Sequence, residues 1–149
     1  MIQEFVIRMP GEGRKSGPSL LKAEASETRG AYIVRVNESV PPGAWIEPHI
    51  HHAEEEAWYV LSGELTFRIA GQSVLAPSSS FVLVPRGIVH SFGNDGNEPA
   101  RFLQIFSPSG MEQYFFERQE LAATLGVDYA GLDPEVLKEL GRKHNLEVV

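Results

Sequence analysis

The chain has 149 residues, of which 42% are hydrophobic and 22% charged, with no cysteine and a formal net charge of −7. That length holds one domain, and the missing thiols exclude disulfides and cysteine nucleophiles and leave histidine and carboxylate as metal ligands. The acidic balance without a Lys/Arg cluster argues against a nucleic-acid partner, no apolar run approaches the ~20 residues of a membrane span, and MIQEFVIRMPGEG has neither the basic start nor the cleavage site of a secretory signal; a cytoplasmic protein is expected.

From the N-terminus, the apolar alternation of EFVIR (residues 4–8) predicts a strand, and PGEGRKSGPS (10–19) reads as a loop. Its GEG lacks the full glycine pattern and the following helix of a dinucleotide fingerprint. The segments AYIVRV (31–36), AWYVL (57–61), LTFRIA (65–70), QSVLA (72–76), FVLVP (81–85), IVHSF (88–92) and RFLQIF (101–106) are short, β-rich and divided by turns such as SGE, AGQ and GNDGNEPA. With no helical pattern between them, they predict an antiparallel sandwich or barrel and disfavour a parallel α/β fold. After SPSG, MEQYFFERQELAATL (111–125) and LDPEVLKELGRKH (132–144) predict two helices, the second with Asp133 as N-cap and Pro134 at its first position. The expected organisation is an all-β unit over residues 1–110 and a helical extension over 111–149 packed on it.

The stretch HIHHAEEEAW (49–58) concentrates the chemistry. On a strand, His49 and His51 project to one face and His52 to the other. Glu56 follows a polar bend, where a neighbouring strand can bring its carboxylate back, and His90 in PRGIVHSFGN supplies a further imidazole from another β-rich run. Imidazole and carboxylate together suit one divalent transition-metal ion from among iron, manganese, nickel, copper, cobalt and zinc. A His-x-His pair alone is weak evidence; the weight comes from many positions fitting one pattern. Gly43, His49, His51, Glu56 and Gly63 follow one another at fixed intervals, and Pro85, Gly87, His90 and Asn94 do so again.

These two sets resemble the paired motifs of the cupin superfamily over about residues 40–108. The resemblance implies a small antiparallel β-barrel of the double-stranded β-helix or jelly-roll type, with His49, His51, Glu56 and His90 as metal ligands. The glycine that opens the second motif is replaced by Ser79, which bears on the local turn. Within the superfamily, EPHIHHAEEEAWYVLSGELTFRI, FVLVPRGIVHSFGN and FLQIFSPSGMEQYFFE look most like the single-domain bacterial cupins grouped with quercetin 2,3-dioxygenases. That likeness implies a metal-dependent dioxygenase that takes O2 and a small flavonol-like or enolisable substrate, with Glu56 as ligand or catalytic base. The alternatives are a cupin isomerase or lyase that consumes no O2 and a non-catalytic binding module.

By strand parity, Trp45 shares the face of His49 and His51, Trp58 that of Glu56, Phe92 that of His90, and Phe67 points inward. These four aromatics are the expected pocket walls, with barrel filling as the alternative. Glu54 and Glu55 are expected in solvent and His52 outward. An open sheet edge and the apolar EFVIR segment lead to the expectation of a homodimer.

Overall fold

The computed structural model describes residues 5–149. Its strands are β1 (Arg14–Ser16), β2 (Ser19–Ala23), β3 (Ile33–Val40), β4 (His49–His51), β5 (Glu55–Ser62), β6 (Glu64–Ile69), β7 (Gln72–Pro77), β8 (Phe81–Val84), β9 (His90–Gly93), β10 (Ala100–Ser107) and β11 (Leu146–Val148). Its helices are α1 (Ala25–Thr28), α2 (Met111–Leu125) and α3 (Pro134–Arg142), with a 3-10 turn at Tyr129–Gly131. The strands form two antiparallel sheets, ordered β1-β2-β3-β10-β5-β8 and β11-β4-β9-β6-β7, which face each other as the antiparallel barrel that the turn spacing predicts, of the double-stranded β-helix type that the resemblance implies.

Because strand side chains alternate, the register decides what faces the interior. Across the larger sheet Gln104 lies opposite both Arg35 and Trp58, and Phe106 opposite both Ile33 and Glu56. Ile33, Arg35, Asn37, Phe102, Gln104, Phe106, Glu56, Trp58 and Val60 therefore share one face, and all are buried. In the smaller sheet Phe67 pairs with Phe92, Ile69 with His90, and His49 with His90.

The core has two main parts. Toward one end of the barrel, Trp58, Phe67, Phe92 and Phe102 pack with Val60, Leu65 and Val84; Phe67 stacks on Phe92 at 5.6 Å and Trp58 meets both edge-on at 5.1 and 5.4 Å, the offset and T-shaped geometries that the ring quadrupoles favour. Toward the other end, Leu21, Ile33 and Phe106 meet Met111 and Tyr114 of α2, Leu140 of α3 and Leu146 of β11, so the C-terminal elements close the barrel rather than hang from it. Asp133 caps α3 by accepting the Glu135 N–H at 2.9 Å, with Pro134 at the first helical position.

The motif positions have structural explanations. Gly63 has φ 72°, and a Cβ there would lie 2.8 Å from the Pro99 carbonyl. Asn94, fully buried, donates to the Val40 and Glu98 carbonyls and accepts the Gly96 N–H, tying the end of β3 to the loop before β10. The Gly87 N–H donates to the His51 carbonyl at 2.8 Å, fastening the second motif to the first. Ser79, which replaces a glycine, still takes φ 72°, so the turn persists with a serine in the left-handed region.

Four sequence expectations are corrected. Of EFVIR, Glu4 lies outside the described residues; Phe5–Arg8 form no strand, and Arg8 instead hydrogen-bonds Glu27 and the Lys22 carbonyl, because an alternating segment needs a free sheet edge to become a strand. The stretch 10–19, read as a loop, contains β1 and the first residue of β2, which pair as a hairpin through Lys15↔Leu20. Strand β11 also emerges from the tail expected to hold helices alone, pairing with β4. Glu54, expected in solvent, is buried. No helix among the described residues is long and apolar enough to cross a membrane.

Candidate metal centre

His49 and His51 project from β4 into the interior, as their spacing of two requires. Cross-strand pairing of β4 with β9 places His90 opposite His49, their ring centroids 4.4 Å apart. Glu56 comes from β5 in the opposite sheet, and one donor atom from each of the four residues lies within 4.8 Å of the others. All four are buried, whereas His52 faces outward and meets Glu147 at 2.8 Å.

The imidazoles are oriented by the backbone. His49 Nδ1 lies 2.8 Å from the Glu47 carbonyl and His90 Nδ1 2.9 Å from the Ile88 carbonyl. A carbonyl can only accept, so both Nδ1 atoms carry hydrogen and both Nε2 atoms turn toward the cluster. This outer support is typical of metal-ligating histidine. His90 Nε2 and His51 Nε2 reach the same Glu56 oxygen, Oε1, at 2.9 and 3.0 Å, while the Gln104 amide donates to Oε2.

Electrostatics follow from this packing. Burial alone would push Glu56 up, but the charges and hydrogen bonds of His51 and His90 outweigh it and hold the carboxyl well below the usual carboxylate range. His49 is lowered to about 4, first by burial and then by the neighbouring His51, so it is a neutral imidazole at pH 7. Burial opposes charge on His90, yet its bond to Glu56 and that carboxylate's charge raise it. Glu54 Oε2 and His51 Nδ1 are both buried without a hydrogen-bond partner and stand 3.8 Å apart; burial raises the Glu54 carboxyl. Three imidazoles and one carboxylate, each aimed at a common point, fit a borderline N/O metal site.

Beside the cluster lies a cavity of about 390 Å³, lined in part by His49, His51 and Glu56, within the size range of small-molecule sites. Of the four aromatics expected as walls, Trp45 and Phe92 line it. Trp58 and Phe67 do not: they sit behind Phe92 in the core, where the inward parity of their strands leads into packed side chains instead of open space. Trp45 is held at the rim, its indole donating to Asp95 at 2.8 Å and its face covered by Arg68 at 4.2 Å. Sequence reading missed Arg35 and Gln104, which also line the cavity. The signal was present: in AYIVRV and RFLQIF each shares parity with apolar inward residues, a polar interruption of a buried face.

A double-stranded β-helix with a buried three-histidine, one-carboxylate cluster beside a small-molecule cavity defines the class of protein. The chain belongs to the cupin family, and the cupin domain profile matches residues 36–106. It is 30% identical over 95 residues to an oxalate-binding protein of Thermotoga maritima, covering 64% of this chain and 77% of that protein. It is 29% identical over 136 residues to the quercetin 2,3-dioxygenase of Bacillus subtilis, covering 86% of this chain but only 38% of the dioxygenase's length. Among solved structures it resembles a putative sugar phosphate isomerase of Acidithiobacillus ferrooxidans, with 30% identity, a TM-score of 0.53 and coverage of 67% and 69% of the two chains. A conserved protein with a double-stranded β-helix domain from Klebsiella pneumoniae is similar at 25% identity and TM-score 0.53, over 70% of this chain and 84% of the other.

Proposed function

We propose that the protein is a metal-dependent oxidoreductase of the dioxygenase type, acting on a small aromatic or enolisable substrate in the cavity. The observation that carries this reading is the convergence of His49, His51, His90 and Glu56 beside a cavity whose other walls include Phe92, Phe102 and Met111. The similarity to a quercetin 2,3-dioxygenase over most of this chain supports it. When bound by His49, His51, His90 and Glu56, one divalent transition-metal ion would supply Lewis acidity toward an ionised enol or phenol oxygen and, where the ion is redox-active, access to O2.

The protein's own groups do the positioning. The Glu47 and Ile88 carbonyls fix the His49 and His90 rings. Gln104 restrains Oε2 of Glu56; Oε1, which meets His51 and His90 when no ion is bound, is the oxygen that would ligate the ion or accept the substrate proton, and the ionised state of Glu56 makes it an acceptor and not a donor. Apolar walls exclude water from the reacting oxygen and favour a flat or aliphatic ligand body.

A second reading is a metal-dependent isomerase or lyase, which the likeness to the putative sugar phosphate isomerase favours, or a non-catalytic small-molecule-binding cupin, which the identity to the oxalate-binding protein favours. The readings separate in one experiment: the protein, loaded in turn with each of the six ions, is given a flavonol or a small enolisable ketone while oxygen and substrate are followed. Oxygen uptake matching substrate loss is expected. Conversion without uptake would replace the dioxygenase by an isomerase or lyase, and saturable binding without turnover would leave a binding module.

The proposal includes a homodimer. On the outer side of β5 and the edge strand β8, Tyr59, Leu61, Phe81 and Leu83 are between 37% and 64% exposed, an apolar patch beside an open edge. Sedimentation at micromolar concentration is expected to give twice the chain mass, and a monomer would remove this part.

A further inference from the structure

Two buried arginines line the cavity, and they differ in one respect. Arg118 is neutralised by Glu47 at 2.9 Å. Arg35 is buried as deeply, but its hydrogen bonds go to the Ser16 hydroxyl (3.1 Å), the Ser16 carbonyl (2.6 Å) and the Gln104 amide oxygen (2.7 Å), all neutral. The Phe115 ring covers it at 3.5 Å. A guanidinium has five N–H donors, so with three engaged two remain.

The groups facing Arg35 do not cancel its charge. Tyr129 is pushed up to about 12 by burial and is a neutral phenol. Glu56 is separated from Arg35 by the Gln104 amide and is already bonded to His51 and His90. Burial lowers Arg35 to about 10, so it is still charged at pH 7. The Glu56 charge favours the guanidinium from a distance, but a buried cation with no direct ion-pair partner is still costly, and one that lines a cavity with two free donors is placed to receive an anion there.

We propose that the cavity takes an organic carboxylate, with Arg35 receiving its carboxylate group and the histidine–Glu56 cluster facing a second, ionisable oxygen a few atoms away. This rests on the cluster and cavity of the preceding section and narrows the substrate class to small hydroxy or oxo acids with an apolar or aromatic body. Gln104 is the positioning residue between the two ends: its oxygen accepts from Arg35 and its nitrogen donates to Glu56, which fixes the spacing of the two subsites.

The test is binding, read without oxygen chemistry. Metal-free and zinc-loaded protein are titrated calorimetrically with benzoate and benzamide, salicylate and salicylamide, and lactate and lactamide, each pair differing chiefly in charge. At least one carboxylate is expected to bind about tenfold to a hundredfold more tightly than its amide, the range for a charged hydrogen bond. Arg35→Met should abolish that preference by bringing carboxylate affinity down to that of the amide, and should melt no lower than wild type because it removes an uncompensated buried charge. Arg35→Lys, which keeps the charge but loses the fork, should retain part of it. Wild type that prefers no carboxylate in any pair would overturn the inference, as would Arg35→Met or Arg35→Lys with the wild-type preference intact. Failure of oxygen uptake with carboxylate preference intact would remove the dioxygenase reading alone.

Discussion

His90 supplies the one clustered imidazole that does not come from HIHHAEEEAW, and its ring is fixed from both sides, by the Ile88 carbonyl and by Glu56. Losing it removes a donor without disturbing β4, so His90→Ala is expected to weaken metal binding by more than the about 10–100-fold typical of losing an outer-shell partner. Metal content and chelator competition check this; unchanged affinity would show that the ion sits elsewhere. The four clustered residues were legible because a period of two and two fixed-interval motifs determine which face each side chain takes. Glu54 was not, since the sequence shows polarity and leaves open whether a polar group ends in solvent or under α2, and Arg35 was legible only as a polar interruption of a buried face. Ser79 gives a separate test at this scale. At φ 72° an L side chain is strained by roughly 1–2 kcal/mol, a cost that glycine avoids, while glycine's freer unfolded chain returns about 0.5–1 kcal/mol. Ser79→Gly is therefore expected to stabilise by up to about 1.5 kcal/mol, seen as a higher denaturant midpoint at constant slope.

Strand β4 is only three residues long and carries two of the clustered histidines, so its position depends on its neighbours. One of them, β11, returns from α3 to pair Leu146 with His51 and Val148 with His49. That return requires Gly141: within α3, a Cβ at this position would lie 2.5 Å from the Leu146 carbonyl. Gly141→Ala gains helix propensity but forces β11 away, and the clash dominates because it falls on backbone. The variant is expected to lose about 1–3 kcal/mol, as for overpacking, and to bind metal more weakly, by thermal unfolding and metal titration; unaltered binding would mean that β11 does not hold β4. The central strands were legible from their alternation and turns. Strand β11 was not, because LEV is too short to show a period, and EFVIR misled because alternation states that a segment can pair and says nothing of whether an edge awaits it.

At the scale of the molecule, the cluster joins the two sheets. His49, His51 and His90 belong to the five-stranded sheet and Glu56 to the six-stranded one, so an ion held by all four cross-links the faces of the barrel. The bonds from His51 and His90 to Glu56 make part of the same connection without metal, so the metal-free chain should fold, with lower stability. Binding to the folded state alone adds about 2.7 kcal/mol when the free ion is at about 100 times its Kd. For a chain of 149 residues, at about 2–4 °C per kcal/mol, the melting temperature should rise by roughly 5–11 °C. Hydrogen exchange should slow most in β4, β9 and β5, the strands that carry the ligands, and less in β7, which carries none. A melting temperature unmoved by a chelator while metal analysis shows the ion leaving would mean that the four side chains do not bind it together, and the connection between the sheets would then rest on Glu56 and its histidine partners.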